Sequence, residues 1–535
     1  MGGCARLAGE ARDGTVTANP LFSIVTPVYE PPLDVLKETI ESVQAQTFDD
    51  WECILVDDNS PSDSVRELLR DAARRDRRIK VIERAENGHI VAASNDGLAA
   101  VTGEFIALLD HDDLLTVDAL ERVKAVVDQF DDVDYIYSDE DKVDEHGTFF
   151  AAFRKPDWSP ERLRGQMYTS HLSVIRRSLV DQVGGFRQGY DGSQDHDLVL
   201  RVTEQARRVV HIPQILYHWR AVEGSAAADA FAKPYAGEAG RRAVQDQLNR
   251  QGIQGIVEGI SGYPGHYRVS RTLPPDRRVS IIIPTLGKSA RMWGEDRCFV
   301  VEAVRSALAK TEHENLEIVV VYDPPTPDKV LSQLRKIAGD KLVLVPYLSE
   351  FNFSKKVNLG VIASTGDRIV TLNDDVQVRS ERWLEELVAP LEEPDVGMTG
   401  AKLFFSDRTI QHAGHAYGRG MYHHPFIGMP SEDAGPWGSL LISRESSGVT
   451  AACAALRREV FEEVGGFSET LPLNFNDVDL SYKIRFRGYR VVWVANCELY
   501  HFESQTRKPV VTEGEEQDTR VRWGHPEYDI YLPES

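Results

Sequence analysis

Cysteine is scarce in this chain. Its five cysteines (Cys4, Cys53, Cys298, Cys453 and Cys497) are far apart and odd in number. Neither a disulfide framework nor a zinc-ligand spacing can be read from them, so a reducing cytoplasm is the expectation. Long apolar runs are missing too. No stretch approaches the roughly 20 residues that cross a bilayer, and Met1 opens no secretory pattern. Positive charge is in deficit, with 61 Lys and Arg against 84 Asp and Glu. That balance argues against non-specific nucleic-acid binding, which needs a basic footprint. The basic patches at Arg74-Arg75, Arg176-Arg177 and Arg207-Arg208 read as solvated helix faces, or as contacts to anionic lipid head groups at the inner face of a membrane. No Gly-x-Gly-x-x-Gly follows an opening strand, which disfavours a dinucleotide-dependent dehydrogenase.

What the chain does contain, it contains twice. Ala-Leu-Leu-Asp110-His111-Asp112-Asp113 returns as Val-Thr-Leu-Asn373-Asp374-Asp375. Each copy follows a Thr-Gly-acid step, Thr102-Gly103-Glu104 and Thr365-Gly366-Asp367. Each precedes a Gly-Gly-Phe, an Asp-x-Asp-Leu and a lone His after Tyr. The offset is 257 at Pro27 and Pro284, 263 at Asn95 and Asn358, 263 at Asp112 and Asp375, 281 at Gly184 and Gly465, and 283 at His218 and His501. It is steady within blocks and jumps between them. The second copy therefore carries an insertion between Asp375 and Gly465, which includes Gln411-His412-Ala413-Gly414 and Met421-Tyr422-His423-His424. The period is too long for a solenoid and indicates domain duplication.

Strand, helix and strand at Phe22–Pro27, Leu33–Gln46 and Trp51–Val56 predict a parallel βαβ unit. The second copy opens the same way at Val279–Pro284, Val300–Ala309 and Glu317–Val321. The chain divides into a flexible terminus (1–19), a first domain (20–225), a helical linker (226–278), a second domain (279–505) and a tail (506–535). The expected fold class is α/β, as two tandem domains.

Ligands in open α/β sheets bind off the carboxyl ends of strands. Asp110 and Asp112 follow such a strand. Alternation puts both on one side, and two carboxylates held together favour a cation between them. Mg²⁺ or Mn²⁺ on a diphosphate suits them. The plainer alternative is an acidic turn before the helix near Val117. Asp195-His196-Asp197 and Asp477-Val478-Asp479 each open a helix. One Asp of each pair reads as a helix-start residue, which leaves the other free as a base. Tyr-His-aromatic at His218 and His501 favours a metal or phosphate role. Trp158, Tyr168, Trp219 and Trp437 offer faces for sugar stacking, or ordinary packing.

As an ordered set, Ser-Ile-Val-Thr-Pro, Val56-Asp57-Asp58-Asn59-Ser60, Asp110-His111-Asp112, Val183-Gly184-Gly185-Phe186, Gln194-Asp195-His196-Asp197-Leu198 and Leu216-Tyr217-His218-Trp219-Arg220 resemble the inverting family-two glycosyltransferases with the GT-A fold. The closest resemblance is to their tandem members that build bacterial surface polysaccharides such as O-antigen. The resemblance implies a UDP- or dTDP-sugar donor held by Asp57 or Asp58, and by Asp323 in the second copy. It implies a metal held by Asp112 with Asp110 and His218, and by Asp375 with His501. Asp195 and Asp477 would be the bases. The acceptor would be a growing, lipid-linked glycan at the inner membrane face, with peripheral attachment and no nucleic-acid partner. Two departures stand out: Tyr322 replaces Asp57, and Asn373 replaces Asp110. They leave open a second domain that only docks glycan. A phosphatase with Asp-x-Asp chemistry fits less well, because the second copy lacks the first Asp.

Overall fold

The computed structural model describes residues 19–221, 234–502 and 513–533. The terminus expected to be flexible lies outside these residues except for Asn19, as do parts of the expected linker and tail. Strands of the first half are β1 (Phe22–Val28), β2 (Trp51–Asp57), β3 (Ile79–Glu83), β4 (Phe105–Leu108), β5 (Leu114–Leu115), β6 (Tyr135–Val143), β7 (Phe149–Phe153), β8 (Ser173–Arg176) and β9 (Val209–Arg220). They form one sheet in the order β3-β2-β1-β4-β8-β6-β9-β5, with β7 added on β6. A hairpin follows, β10 (Gly255–Gly259) and β11 (Tyr267–Arg271).

The second half opens with β12 (Val279–Thr285), a hairpin of β13 (Ser289–Met292) and β14 (Glu295–Cys298), then β15 (Leu316–Tyr322), β16 (Leu342–Pro346), β17 (Arg368–Leu372) and β18 (Val376–Val378). It continues with β19 (Val396–Phe404), β20 (Ile410–His412), β21 (Ala416–Gly418), β22 (Met421–His423), β23 (Arg444–Glu445), β24 (Cys453–Arg457) and β25 (Arg490–His501). Its sheet runs β16-β15-β12-β17-β24-β19-β25-β18. Position by position, this is the path of the first sheet. Strands β1, β2, β12 and β15 are apolar and buried on both faces, as covered parallel strands must be.

Several repeated motifs turn out to hold this scaffold. Ser23 donates to Glu52 at 2.6 Å and accepts from the Gly103 amide at 2.8 Å, while the Thr102 amide donates to the same Glu52 oxygen at 2.6 Å. Ser280, Glu317, Gly366 and Thr365 repeat the arrangement at 2.6, 2.8 and 2.6 Å. A Cβ on Gly103 would stand 2.8 Å from the Ser23 backbone nitrogen, which accounts for the glycine. The Gly-Gly-Phe turn is clamped the same way in both halves. The Asn95 amide group bonds both backbone groups of Phe186 at 2.9 Å, and Asn358 does so for Phe467 at 3.0 Å.

The expected linker is more than a connector. Helix Pro234–Gln251 places Ala243, Val244 and Leu248 in one apolar core with Leu198 and Val202 of helix Gln194–Thr203. The two halves then meet through buried charges. Arg164 bonds Glu393 at 2.8 Å, Arg271 bonds Glu161 at 2.5 Å and Glu393 at 2.8 Å, and Glu445 accepts from the Glu161 amide at 3.2 Å. Burial alone would raise Glu393, but Arg271, Arg164 and Arg490 hold it well below the usual carboxylate range.

Candidate functional site

The first site gathers at the carboxyl ends of β1, β2 and β4. Asp57 ends β2, Asp58 follows it, and both are buried. Asp58 is committed: it pairs with Arg84 and accepts from the Gly88 amide at 2.9 Å. Asp57 accepts from the Ser60 amide at 3.1 Å through one oxygen, while its Oδ2 is buried without a partner. A buried acceptor of this kind costs about 1–3 kcal/mol unless something bonds it.

Asp110 and Asp112 follow β4, as expected, and the fold adds two residues that the motif did not flag. Asp113 is fully buried, accepts from the Tyr217 hydroxyl at 2.6 Å and from the Arg220 amide at 2.7 Å. His171 brings a ring nitrogen within 4.8 Å of carboxylate oxygens on Asp110 and Asp113. Burial and then the neighbouring Asp110 raise Asp112. Burial, Asp112 and Asp110 raise Asp113 well above the usual range. Against the pull of burial, Glu140 holds His171 up at about 9. The site is thus a cluster of mutually repelling carboxylates that a cation would relieve.

Asp195 lies at the start of helix Gln194–Thr203 and faces this cluster. Burial pushes it up to about 6, with the charge on Asp110 adding and His171 opposing. Asp197 is held differently. It is fully buried and pairs with both Arg187 and Arg201. It anchors the helix rather than capping it, and Asp195 is left to the cleft.

His218 is not brought to the acidic cluster. Its Nδ1 meets Asp141 at 2.5 Å, and its ring lies 4.3 Å from that of Phe149. The reason is register. Asp141 pairs with His218 on β6 and β9, whereas Phe404, 263 positions on, pairs with Tyr500 on β19 and β25. Leu114 pairs with His218 and Gln377 with Tyr500, which gives the same answer. His218 therefore occupies the place of Tyr500, and Trp219 that of His501. A slip of one residue sends a side chain to the other face. Trp219 stands 5.5 Å from His171 instead.

The second site brings its expected residues together. Asn373, Asp374, Asp375, Asp477 and His501 line one cleft of about 220 Å³, with Thr285, Lys356 and Asn476. His501 Nε2 lies 3.2 Å from Asp375 and 3.3 Å from the Asn373 amide nitrogen. Its Nδ1 lies 2.7 Å from Gln411, at the start of the insertion. Burial and then Asp375 push Asp374 up to about 7. Asp477 accepts from the Ala451 amide at 3.3 Å and from the Val478 amide at 2.9 Å. Asp479 is again the anchor, bonded to Lys483 at 3.0 Å, Arg522 at 2.5 Å and the Trp523 indole at 2.9 Å. Asp323 is not free for a ligand as Asp57 is. Lys356 bonds it at 2.5 Å.

Of the aromatics, Tyr168 is core and bonds the Ser159 amide at 2.8 Å. Trp437 stacks on Phe153 at 4.5 Å in the groove between the halves. Lys142 lies 5.0 Å over Trp219.

Comparison with known proteins agrees with the duplication. The glycosyl transferase family 2 model matches residues 23–184 and again 280–465. The chain belongs to that family, and its two domains are of the GT-A type. An uncharacterized protein of Sinorhizobium fredii, y4gI, is 42% identical over 495 residues, covering 91% of this chain and 54% of that protein. The O-antigen biosynthesis protein RfbC of Myxococcus xanthus is 36% identical over 496 residues, covering 92% of this chain and 38% of its own length. This chain thus spans about half or less of these relatives. Among solved structures, Staphylococcus aureus TarS 1–349 in complex with UDP-GlcNAc is similar at a TM-score of 0.35 and 20% identity, covering 43% of this chain and 66% of that one.

Proposed function

We propose that this chain transfers a sugar from a nucleotide-diphospho-sugar to a hydroxyl of a growing cell-surface glycan, inverting the anomeric carbon. The observation that carries the reading is the division of labour within each Asp-x-Asp pair. Asp197 and Asp479 are tied to cations, while Asp195 and Asp477 face the acidic clefts. A carboxylate so placed accepts the proton of an acceptor hydroxyl as that oxygen attacks, worth about 10²–10⁴ in rate. Attack from the face opposite the diphosphate inverts the centre and needs no covalent sugar–enzyme link.

The unpartnered Asp57 oxygen suits the imide N–H of uracil or thymine, hence a UDP- or dTDP-sugar. The carboxylate cluster fits Mg²⁺ or Mn²⁺, held by Asp110, Asp112 and Asp113 in the first repeat and by Asp375, Asn373 and His501 in the second. Such an ion would supply neutralising charge to the leaving diphosphate. The kinship with RfbC, an O-antigen biosynthesis protein, supports an O-antigen-like acceptor, and a lipid-linked form of it is part of the proposal. No helix among the described residues is long and apolar enough to cross a membrane.

A second reading, in which the second repeat docks glycan without catalysis, draws on Asn373 in place of a carboxylate and on the Lys356–Asp323 pair. The test is transfer from a panel of UDP- and dTDP-sugars, with product analysis, by wild type, Asp195→Asn and Asp477→Asn. Loss in both variants supports two sites. Loss in the first alone supports the docking reading. Near wild-type turnover in both sinks the assignment of the bases.

A further inference from the structure

The insertion that distinguishes the second repeat carries three histidines to one point. His412 ends β20, His415 lies in the turn after it, and His424 follows β22. Their ring centroids are 4.9 Å (His412 to His424), 5.0 Å (His412 to His415) and 4.8 Å (His415 to His424) apart. The rings meet at 72°, 80° and 88°, so each presents an edge to the others. One nitrogen from each lies within 4.8 Å of one from each of the others. His412 and His415 are buried.

Rings gathered only for packing have no reason to converge through their nitrogens. Protonated, they would repel one another at close range. Burial, and then the neighbouring imidazoles, push His412 well below its ordinary range and His415 down to about 3. Neutral imidazole is the form that binds a metal. Three such nitrogens without a carboxylate suit a borderline-soft divalent ion in tetrahedral geometry with one position open. The carboxylates beside Asp375 suit a hard ion instead, so the two centres differ in kind.

We infer that His412, His415 and His424 form a binding site for a Zn²⁺-class ion, distinct from the acidic site beside it. Without an ion, hydrogen bonds serve the rings. The Thr450 amide donates to His412 Nε2 at 3.2 Å, and His412 Nδ1 shares a proton with His424 Nδ1 at 2.9 Å. An ion takes the place of that shared proton, and His412 adopts its other tautomer at the expense of the long Thr450 bond. The ion would staple β20 to the end of β22 next to the candidate base, since Asp477 acts electrostatically on His415 and His501 on His412. Among the described residues of the first repeat, no three histidines come together in this way. The inference stands whether or not the second repeat is catalytic.

The test is titration of untagged, metal-free full chain with Co²⁺ alone, read by visible absorption. One Co²⁺ per chain with the intense bands of a tetrahedral site, displaced by Zn²⁺, is the expected result. His424→Ala should weaken binding by roughly tenfold or more, and Asp375→Asn should leave the bands unchanged. His424 is only half-buried, so circular dichroism should show its variant folded. If that variant does not fold, the thermal midpoint of wild type decides: a rise on adding Zn²⁺ that persists in Asp375→Asn supports the site. Absence of the bands, bands lost in Asp375→Asn but kept in His424→Ala, or no Zn²⁺-dependent rise would each overturn it and leave a hydrogen-bonded histidine cluster.

Discussion

At the end of β2 the first repeat leaves a buried carboxylate oxygen of Asp57 with nothing to bond. At the equivalent place the second repeat has Tyr322, and the following Asp323 is neutralised by Lys356, which stands where the first repeat has Ala93. One cleft offers an acceptor awaiting a donor, and the other has filled its own. The contrast continues across the sheet. His501 reaches Asp375, whereas its structural counterpart is Trp219 and the imidazole near the first cluster is His171, from another loop. Beneath these differences the Ser–Glu–Thr-Gly bonds and the Asn clamps agree to within about 0.1 Å. Duplication has kept the frame and let the ligand end diverge, as expected when function lives in sites carried on a fold.

The sharpest way to break the comparison is to remove one base at a time. Asp195→Asn should lower transfer by the first repeat by about 10²–10⁴ while donor-induced thermal stabilisation persists. Asp477→Asn should do the same for the second repeat if that repeat is catalytic. Products assigned to each repeat separate the cases. Equal products from both variants would mean that neither carboxylate is the base.

Next in size is the joint between the repeats. Glu393 accepts from Arg164, Arg271 and Arg490 in a buried setting. Glu393→Gln leaves three guanidiniums short of charge and should cost about 3–5 kcal/mol. A calorimetric scan should show a lower or split transition. Because Glu393 is held far below its unfolded value, its contribution is full above the ordinary carboxylate range and is lost progressively as pH falls from there into strong acid. An unchanged scan at neutral pH would mean that the repeats are not joined through these charges.

Much of this frame was legible in the residues. Apolar runs closed by Pro marked β1 and β12, and the helix at Phe299–Ala309 begins one residue before the expected start. Asp195 and Asp477 stood out because an ordered motif recurred. The His218–His501 match misled, because Tyr-His is the same dipeptide in both strands while the two sheets hold it one position apart: Asp141 pairs with His218, but Phe404 pairs with Tyr500. Sequence alignment follows the dipeptide; the sheet follows hydrogen bonds. His171 left no signal, since its counterpart 281 positions on is Ala452 and nothing recurs there. Asp113 was hidden beside the louder Asp110 and Asp112. The interdomain charges were illegible too, because their partners lie hundreds of residues apart and scattered Arg and Glu read as surface.

A smaller effect probes what the repeats share. Gly97 and Gly360 sit in matching helices over β1 and β12. An added Cβ would stand 2.6 Å from Val25 and 2.4 Å from Ile282, respectively. Overpacking of this kind costs about 1–3 kcal/mol. Gly97→Ala and Gly360→Ala should therefore lower stability by similar amounts in denaturant titrations. A large inequality would show that the common frame has drifted where the hydrogen bonds suggest it has not.

The finest probe is pH. In an Asp477→Asn background only the first repeat turns over, and its base must be ionised to accept a proton. Asp195 is raised to about 6 by burial and by Asp110, with His171 opposing and Gln194 bonded to it. Activity should be full above that value and fall about tenfold per pH unit below it. A cation beside Asp110 removes part of the repulsion, so adding Mg²⁺ should move the acid limb to lower pH. Measured as kcat/KM between pH 4 and 8, with circular dichroism as a check on folding, a limb that ignores Mg²⁺ would separate Asp195 from the acidic cluster. No limb at all in folded protein would remove Asp195 from the chemistry, and with it the distinction drawn between the free and the anchored aspartate of each pair.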